Sequence, residues 1–340
     1  NEAYTIMLAP GSPTSGPQNI WVIAPGVYSG PAEYAGTQTA IPGSPPPGAV
    51  EYDGVTSIVA NTGSSNTTIS IGGNVYVPVT ITAGSGKNQL IMGGGQATIT
   101  GTTGNDTVFG GSGGVIFHAG TGTSVFIGGN GNNTIYDPGT VSIVEGYVTQ
   151  AYDSNSSTYS LVSVDYSYYN LSGSTLTYGN GTTNYTDTLV GTFSLITLTA
   201  PGSGAASFAV NNYSGNVILN ANGNSSVTTS IETDNGNLSL SGSVVTQSNG
   251  VTGTITLQSN VTTTNSSTGV LTVTPYVYGG SLNLYGGSGK NTFTVNSWSG
   301  SPGVVTLDGK GGGDAYIINF PKSGSFTANV NDSGNGGTDS

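Results

Sequence analysis

From Ile81 to Asp137 one large apolar residue returns every nine positions, at Leu90, Ile99, Val108, Phe117, Phe126 and Ile135. Four residues before each lies a glycine: Gly86, Gly95, Gly104, Gly113, Gly122 and Gly131. Two residues before each apolar residue stands a small or polar one, Asn88, Ala97, Asp106, Val115, Ser124 and Asn133. More glycines precede the first set by two, with Thr102 the exception. An amphipathic helix repeats at three and four residues and cannot hold this register. A glycine turn followed by a very short strand can. Each such unit is too small to bury its one apolar side chain, but stacked units bury them as a continuous column. The expectation is an all-β chain, a β-solenoid of the parallel β-roll or β-helix kind, with a proline-rich N-terminal cap or arm.

Outside the array the pattern shortens to two. Thr254-Ile255-Thr256-Leu257 and Leu271-Thr272-Val273-Thr274 alternate apolar with polar, as half-buried strands do. Ile69-Ser70-Ile71 and Val75-Tyr76-Val77 read as strands leading into the array. Five stretches follow: 1–50, a proline-rich cap or docking arm; 51–80, entry strands; 81–140, the nonapeptide roll; 141–278, a Ser/Thr/Asn-rich solenoid with longer coils; and 279–340, a return of glycine-rich repeats. Nine prolines from Pro10 to Pro47 suit an irregular cap over the first coil, because proline is a poor central-strand residue. Asn180-Gly181 and Asn222-Gly223 mark turns. Ser207–Gly215 is echoed by Thr292–Gly300, and Gly84–Asn88 by Gly287–Asn291, so duplication exists at two length scales.

Composition narrows the function classes. Of 340 residues 57 are glycine, 6% are charged, and the net charge is -12. The four basic residues, Lys87, Lys290, Lys310 and Lys322, cannot neutralise a run of phosphates, which excludes nucleic acid and anionic membrane surfaces as partners. No apolar run is long enough for a transmembrane helix. With no cysteine, neither disulfides nor thiol chemistry enter. The β-branched and aromatic content still supplies a core, which argues against disorder. The opening at Asn1, without methionine or a signal-like segment, suggests a piece of a longer precursor.

Gly101-Thr102-Thr103-Gly104-Asn105-Asp106-Thr107-Val108 and Gly128-Gly129-Asn130-Gly131-Asn132-Asn133-Thr134-Ile135 are the best copies of the repeat. The array resembles the haemolysin-type nonapeptide repeats of secreted repeats-in-toxin proteins, G-G-x-G-x-D-x-U-x, over residues 81–137, and more loosely over 279–340. Tyr185–Gly191 and Leu307–Gly311 look like parts of giant repetitive surface proteins of environmental bacteria, planctomycetes included. The resemblance implies secretion and a surface, adhesive or biofilm-matrix role. It also implies calcium held between coils by the acidic residue of each turn and nearby carbonyls. Here the chain departs from the pattern. Of the six equivalent positions only Asp106 is acidic, while Ala97 and Val115 have no ligating side chain. Stacked Asn, Ser and Thr side chains that hydrogen-bond along the coils take the place of a calcium row. The better calcium candidates are Asp308, Asp314 and Asp332, with Asp106 a fourth; turn formation is the plainer reading of the C-terminal three. The cofactor expectation is none, or Ca²⁺.

Other chemistry finds little support. His118 is the only histidine and reads as a solvent-facing neighbour of Phe117, so zinc sites and a Ser-His-Asp triad are disfavoured. Gly-Ser-Gly-Lys-Asn lacks the Ser or Thr that a phosphate loop needs after its lysine, at both Asn88 and Asn291. No acidic pair sits near a lysine in the array, as a carbohydrate-active β-helix enzyme would need. Tyr166, Tyr168 and Tyr169 suit either a glycan contact or a packing ladder. Sequons such as Asn66-Thr67-Thr68 and Asn260-Val261-Thr262 mark possible glycosylation. The expectation is a non-enzymatic, extracellular or cell-surface structural protein, a subunit or segment of a filament, surface layer or adhesive fibre. The expected partners are copies of itself, head-to-tail, and glycans. The alternatives are a calcium-binding secreted adhesin module and, behind it, a carbohydrate-active β-helix enzyme.

Overall fold

The structure, a computed structural model, describes residues 2–24 and 48–333, apart from 138–139, 146–148, 154–157, 163–165, 192, 202–203, 212, 214, 221–226, 233–235, 242–243, 249–251, 259–261, 265–270, 274–280, 287–290, 296–303, 311–312 and 319–326. It is all-β, with no helix among the described residues, and its stacked parallel coils form a β-solenoid of about eight turns. Two compact units divide the chain, Asn1–Val164 with Tyr185–Phe193, and Asp165–Asn184 with Ser194–Ser340.

In the first unit the strands are β1 (Glu2–Leu8), β2 (Gln18–Ile23), β3 (Ala49–Val55), β4 (Ile58–Asn61), β5 (Thr67–Ile71), β6 (Val79–Thr82), β7 (Gln89–Ile91) and β8 (Ala97–Thr100). They continue as β9 (Thr107–Phe109), β10 (Val115–His118), β11 (Ser124–Ile127), β12 (Asn133–Asp137), β13 (Val141–Glu145) and the separate hairpin β14 (Thr149–Asp153) and β15 (Thr158–Val162). The second unit opens with the hairpin β16 (Tyr168–Ser172) and β17 (Thr175–Gly179). The chain then returns to the first unit as β18 (Asn184–Gly191). The second unit resumes with β19 (Leu195–Thr199), β20 (Ala206–Asn211), β21 (Val217–Asn220), β22 (Val227–Glu232), β23 (Gly236–Ser241), β24 (Val244–Ser248) and β25 (Thr252–Gln258). It ends with β26 (Thr262–Thr264), β27 (Leu271–Val273), β28 (Ser281–Tyr285), β29 (Asn291–Val295), β30 (Val304–Asp308), β31 (Ala315–Ile318) and β32 (Thr327–Asn331).

Successive nonapeptides alternate between two sheets of the first unit. One runs β3-β2-β1-β5-β7-β9-β11-β13 and the other β4-β6-β8-β10-β12-β18. A coil is therefore two repeats, eighteen residues, and the apolar positions form two columns rather than one. Leu90, Val108 and Phe126 stack in register in the first sheet; Ile99, Phe117 and Ile135 stack in the second. All six are fully buried. The columns face each other across the interior, where the Phe117 and Phe126 rings stack with centroids 6.2 Å apart. Burial of a Phe, Leu, Ile or Val contributes about 1.5–3 kcal/mol, so the columns are the chief source of cohesion in the array.

The repeat glycines are there for close approach. A Cβ at Gly104 would fall on the carbonyl oxygen of Gly86, and one at Gly122 on that of Gly104, one coil below in each case. Gly86, Gly95, Gly113 and Gly131 meet the backbone of a neighbouring coil in the same way. None of the six is held at positive φ.

Two expectations are corrected. Val75-Tyr76-Val77 is a turn segment, not a strand; the Gly72-Gly73 pair before it and Pro78 after it break the ladder, while Val75 and Val77 still point inward and are buried. Residues 1–50 are not an irregular cap throughout. β1 pairs in parallel with β5, and β2 and β3 extend that sheet antiparallel, with Pro10, Pro13 and Pro17 confined to the β1–β2 connection. The remaining prolines of that stretch, from Pro25 to Pro47, lie outside the described residues. The looser period after residue 140 comes from hairpins spliced between coils, such as β16–β17 and the antiparallel β23-β24-β25 run. Where no hairpin intervenes, the coil of the second unit lengthens to 21–23 residues, as from Ile196 to Val217 and from Leu284 to Leu307.

Candidate functional site

The position two residues before each apolar rung points inward at the edge of the interior, where an unpaired polar group is costly. The chain meets that cost with one repeated device. Asn88 donates from Nδ2 to Asp106 Oδ1 at 2.8 Å, and Asn133 does the same to Asp187 Oδ1 at 2.8 Å. In the second unit Asn291 donates to Asp314 Oδ1 from its backbone at 2.7 Å and from Nδ2 at 3.3 Å. All six residues are buried. Two of the amides are oriented by further bonds: Asn88 Nδ2 also reaches Gly86 O, Asn133 Nδ2 also reaches Gly131 O, and Asn133 Oδ1 accepts from Val115 N–H. On the outside of the turns, Asn66, Asn105 and Asn132 accept backbone N–H groups of Lys87, Thr123 and Thr186 on the next coil. Ser124 Oγ accepts the backbone N–H of Asp106. Side-chain bonding along the coils is thus present, but its buried rungs pair carboxamide with carboxylate.

Asp106 Oδ2 is buried without a hydrogen-bond partner, close to the Cα of Gly101. Burial pushes the Asp106 carboxyl above the usual carboxylate range, against the opposing pull of the Asn88 hydrogen bonds. This is the position at which the resemblance to repeats-in-toxin nonapeptides would place calcium. The residues present do not fit such an ion: one carboxylate faces amide N–H donors, whereas Ca²⁺ takes six to eight oxygens. An ion between these rungs would have to displace the Asn88–Asp106 bond.

The C-terminal candidates are not gathered. Asp314 belongs to the Asn291 pair. Asp308 accepts from Ser333 N–H and Oγ–H at 3.0 Å and 2.8 Å and from Lys310 N–H at 3.1 Å. Burial raises its pKa, but those hydrogen bonds and the Lys310 charge outweigh it and leave Asp308 below the usual range. Asp332 is exposed. Among the described residues no three His, Asp or Glu side chains lie together in a way that could hold a metal ion. Lys310 adopts a left-handed φ of 63° and sets its Nζ 5.3 Å from the Tyr285 ring centroid.

His118 is exposed, as expected, and stacks on Tyr136 of the next rung at 4.4 Å. Of the two readings of the tyrosines, Tyr166 and Tyr169 take the packing one: both are buried, and Tyr169 stacks on Phe208. Among the described residues the exposed tyrosines are Tyr52, Tyr76 and Tyr136. Asp187 and Asp314, the second members of two rung pairs, escape a nonapeptide reading. Asp187 lies 54 residues after Asn133, so a search for Asn and Asp at multiples of the eighteen-residue coil would have found it.

The ends of the sheets form the other candidate site. β4 terminates its sheet in the first unit, and its outward Val59 is 79% exposed. Beside it opens an apolar cavity of about 320 Å³ whose walls include Tyr4, Ile6, Val22, Ala60 and Ile69. In the second unit β32 terminates a sheet, and Val330, in the buried column of Leu307, is 46% exposed. No helix among the described residues is long and apolar enough to cross a membrane. Comparison with protein-family models, with curated proteins and with solved structures finds no match to this chain.

Proposed function

We propose that the chain is an extracellular structural protein, a subunit or segment of a filament, surface layer or adhesive fibre that assembles through its solenoid ends. One observation carries the reading: the terminal strands β4 and β32 have neither a charged residue nor a proline, and each leaves a sheet edge open among the described residues. Natural sheets usually blunt such edges with charge, proline or a cover. Uncharged sheet edges such as these invite pairing with other copies of the chain, and a head-to-tail contact builds open fibres. The internal ladder suits that role, since rung pairs and apolar columns give cohesion without disulfides. Electron microscopy of the purified chain tests it. Regular fibres are the expected result, and monodisperse particles at high concentration overturn it.

The calcium-binding adhesin module is the second reading, which the resemblance of the nonapeptides implies and the Asn88–Asp106 rung opposes. Circular dichroism in EDTA separates the two. A structural fibre keeps its β signal, whereas a calcium-dependent module loses it.

A further inference from the structure

We propose that the turn between β17 and β18 modifies itself: the backbone nitrogen of Gly181 attacks the carboxamide carbon of Asn180, and the amide is lost as ammonia. Among the described residues two Asn-Gly pairs lie complete, Asn130-Gly131 in the nonapeptide array and Asn180-Gly181 in this turn. In sequence they are equal candidates, because a glycine after asparagine leaves the main-chain nitrogen with no neighbouring side chain to screen it. In the fold they are not equal.

At Asn180 the parts of the reaction are already assembled. Residues 180–184 are exposed, so water reaches the site. Gly181 has a φ of 84° and open space around its Cβ position. The Asn180 side chain folds forward over the peptide that follows it: Oδ1 accepts the N–H of Thr182 at 3.1 Å and that of Thr183 at 3.0 Å. The main chain closes the same turn, with Asn180 N–H donating to Thr183 O at 3.3 Å. Holding the carboxamide forward keeps its carbon near the Gly181 nitrogen and lowers the entropic cost of ring closure. The carboxamide oxygen gains negative charge as the nitrogen adds. The Thr182 and Thr183 N–H groups already point at that oxygen, as donors do in an oxyanion hole.

The N–Cγ bond forms as the Gly181 nitrogen gives its proton to water. The Cγ–Nδ2 bond then breaks, and the amide nitrogen takes a proton from water and leaves as ammonia. A second water opens the five-membered imide. Cleavage at Cγ leaves aspartate at position 180, and cleavage at the main-chain carbonyl leaves isoaspartate. Water is the only co-reactant. Aspartate keeps the two turn hydrogen bonds and strengthens them with charge. Isoaspartate adds one carbon to the main chain of the turn.

Asn130 is the internal contrast. Gly131 is buried, and a Cβ there would meet the backbone of Gly111 and Gly114 on the neighbouring coil. Its carbonyl also accepts from Asn133 Nδ2. Ring closure at Asn130 would have to swing that peptide out of the stack.

The test holds the full-length chain in mildly alkaline buffer, folded and in denaturing guanidinium. Peptide mapping by mass spectrometry follows amide-to-acid conversion at both sites, and isoaspartate methyltransferase labels the rearranged product. In the folded chain Asn180 is expected to convert at least about tenfold faster than Asn130, and no more slowly than in guanidinium. Asn130 is expected to match it only in guanidinium. Equal rates at the two sites in the folded chain would overturn the proposal, as would slower conversion of Asn180 folded than unfolded. Aspartate without isoaspartate would overturn the cyclic route. The modification needs no second copy, so failure of the assembly reading would leave it standing.

Discussion

Asn133 and Asp187 are 54 residues apart in sequence and 2.8 Å apart in space, carboxamide to carboxylate, on neighbouring rungs of one sheet. Between them the β14–β15 hairpin forms a sheet of its own and the β16–β17 hairpin belongs to the second unit, yet the ladder resumes at β18 with its polar rung in register. This pair shows how the solenoid tolerates insertions: a new segment may be any length provided the next rung returns an acceptor to the same place. A long loop costs little extra chain entropy, since closure grows only slowly with length.

The pair predicts a charge-dependent defect. Asn133→Asp would set two carboxylates against each other in a buried rung, where both cannot ionise cheaply. Thermal unfolding at neutral pH should show a fall of at least about 2 kcal/mol, the cost of an uncompensated buried polar group. The defect should shrink as the pH approaches 4, because protonation restores a donor. Asn133→Ala should lose a smaller amount, about 1–3 kcal/mol, with little pH dependence. An equal loss for both variants at every pH would show that the amide–carboxylate bond is not what holds the rung.

Glycine substitutions separate close approach from backbone freedom. Gly104→Ala and Gly122→Ala drive a methyl group into a carbonyl of the adjacent coil. Overpacking of this kind costs about 1–3 kcal/mol and sometimes more. Gly63 and Gly173 have positive φ and open space around the Cβ position. There alanine should cost only the left-handed penalty of about 1–2 kcal/mol. Denaturant midpoints of the four variants give the ranking, and a reversal would mean that coils are not stacked at Gly104 and Gly122.

Much of this was legible in the sequence. Fixed glycines and one apolar residue per nonapeptide specify turn, strand and core column, because only stacking buries a single side chain per unit. What the period hid was the coil. A repeat of nine says nothing about whether neighbours share a sheet, and Val108 and Phe117 sit in opposite ones. That choice depends on chain reversal at each glycine turn, a tertiary property. Tyr166 and Tyr169 were equally opaque, since alternation would set them on opposite faces; Tyr166 precedes β16, so it packs against Tyr178 of β17 while Tyr169 stacks on Phe208, and both are buried. The Asn–Asp device was hidden because its partners belong to different coils.

The core columns predict a large loss on truncation. Phe126→Ala removes a fully buried ring stacked on Phe117, and should destabilise by about 3–5 kcal/mol. Tyr136→Ala, on the outer face against His118, should lie within about 1 kcal/mol of the parent. Urea unfolding compares them directly.

Asp106 and Asp308 should respond to pH with opposite signs. Burial raises Asp106, so between the ordinary carboxylate value and its raised one the folded chain holds a proton that the unfolded chain has released. Stability from this group falls as the pH rises through that window, and the full penalty persists above it. Asp106→Asn should therefore raise the unfolding temperature at pH 7, with a gain that vanishes near pH 3. At Asp308, burial pushes the pKa up, but the bonds from Ser333 and Lys310 and the lysine charge prevail and hold it low. Its contribution is complete above the ordinary carboxylate value and disappears as the pH falls through the lowered one. Asp308→Asn should lower stability at pH 7 and become neutral in acid. The loss should be local, because the carboxylate ties Ser333 and Lys310 around the last described strand; faster hydrogen exchange at Ser333 would register it. Parallel pH profiles for the two variants would contradict the assignment of buried penalty to one carboxylate and anchoring to the other.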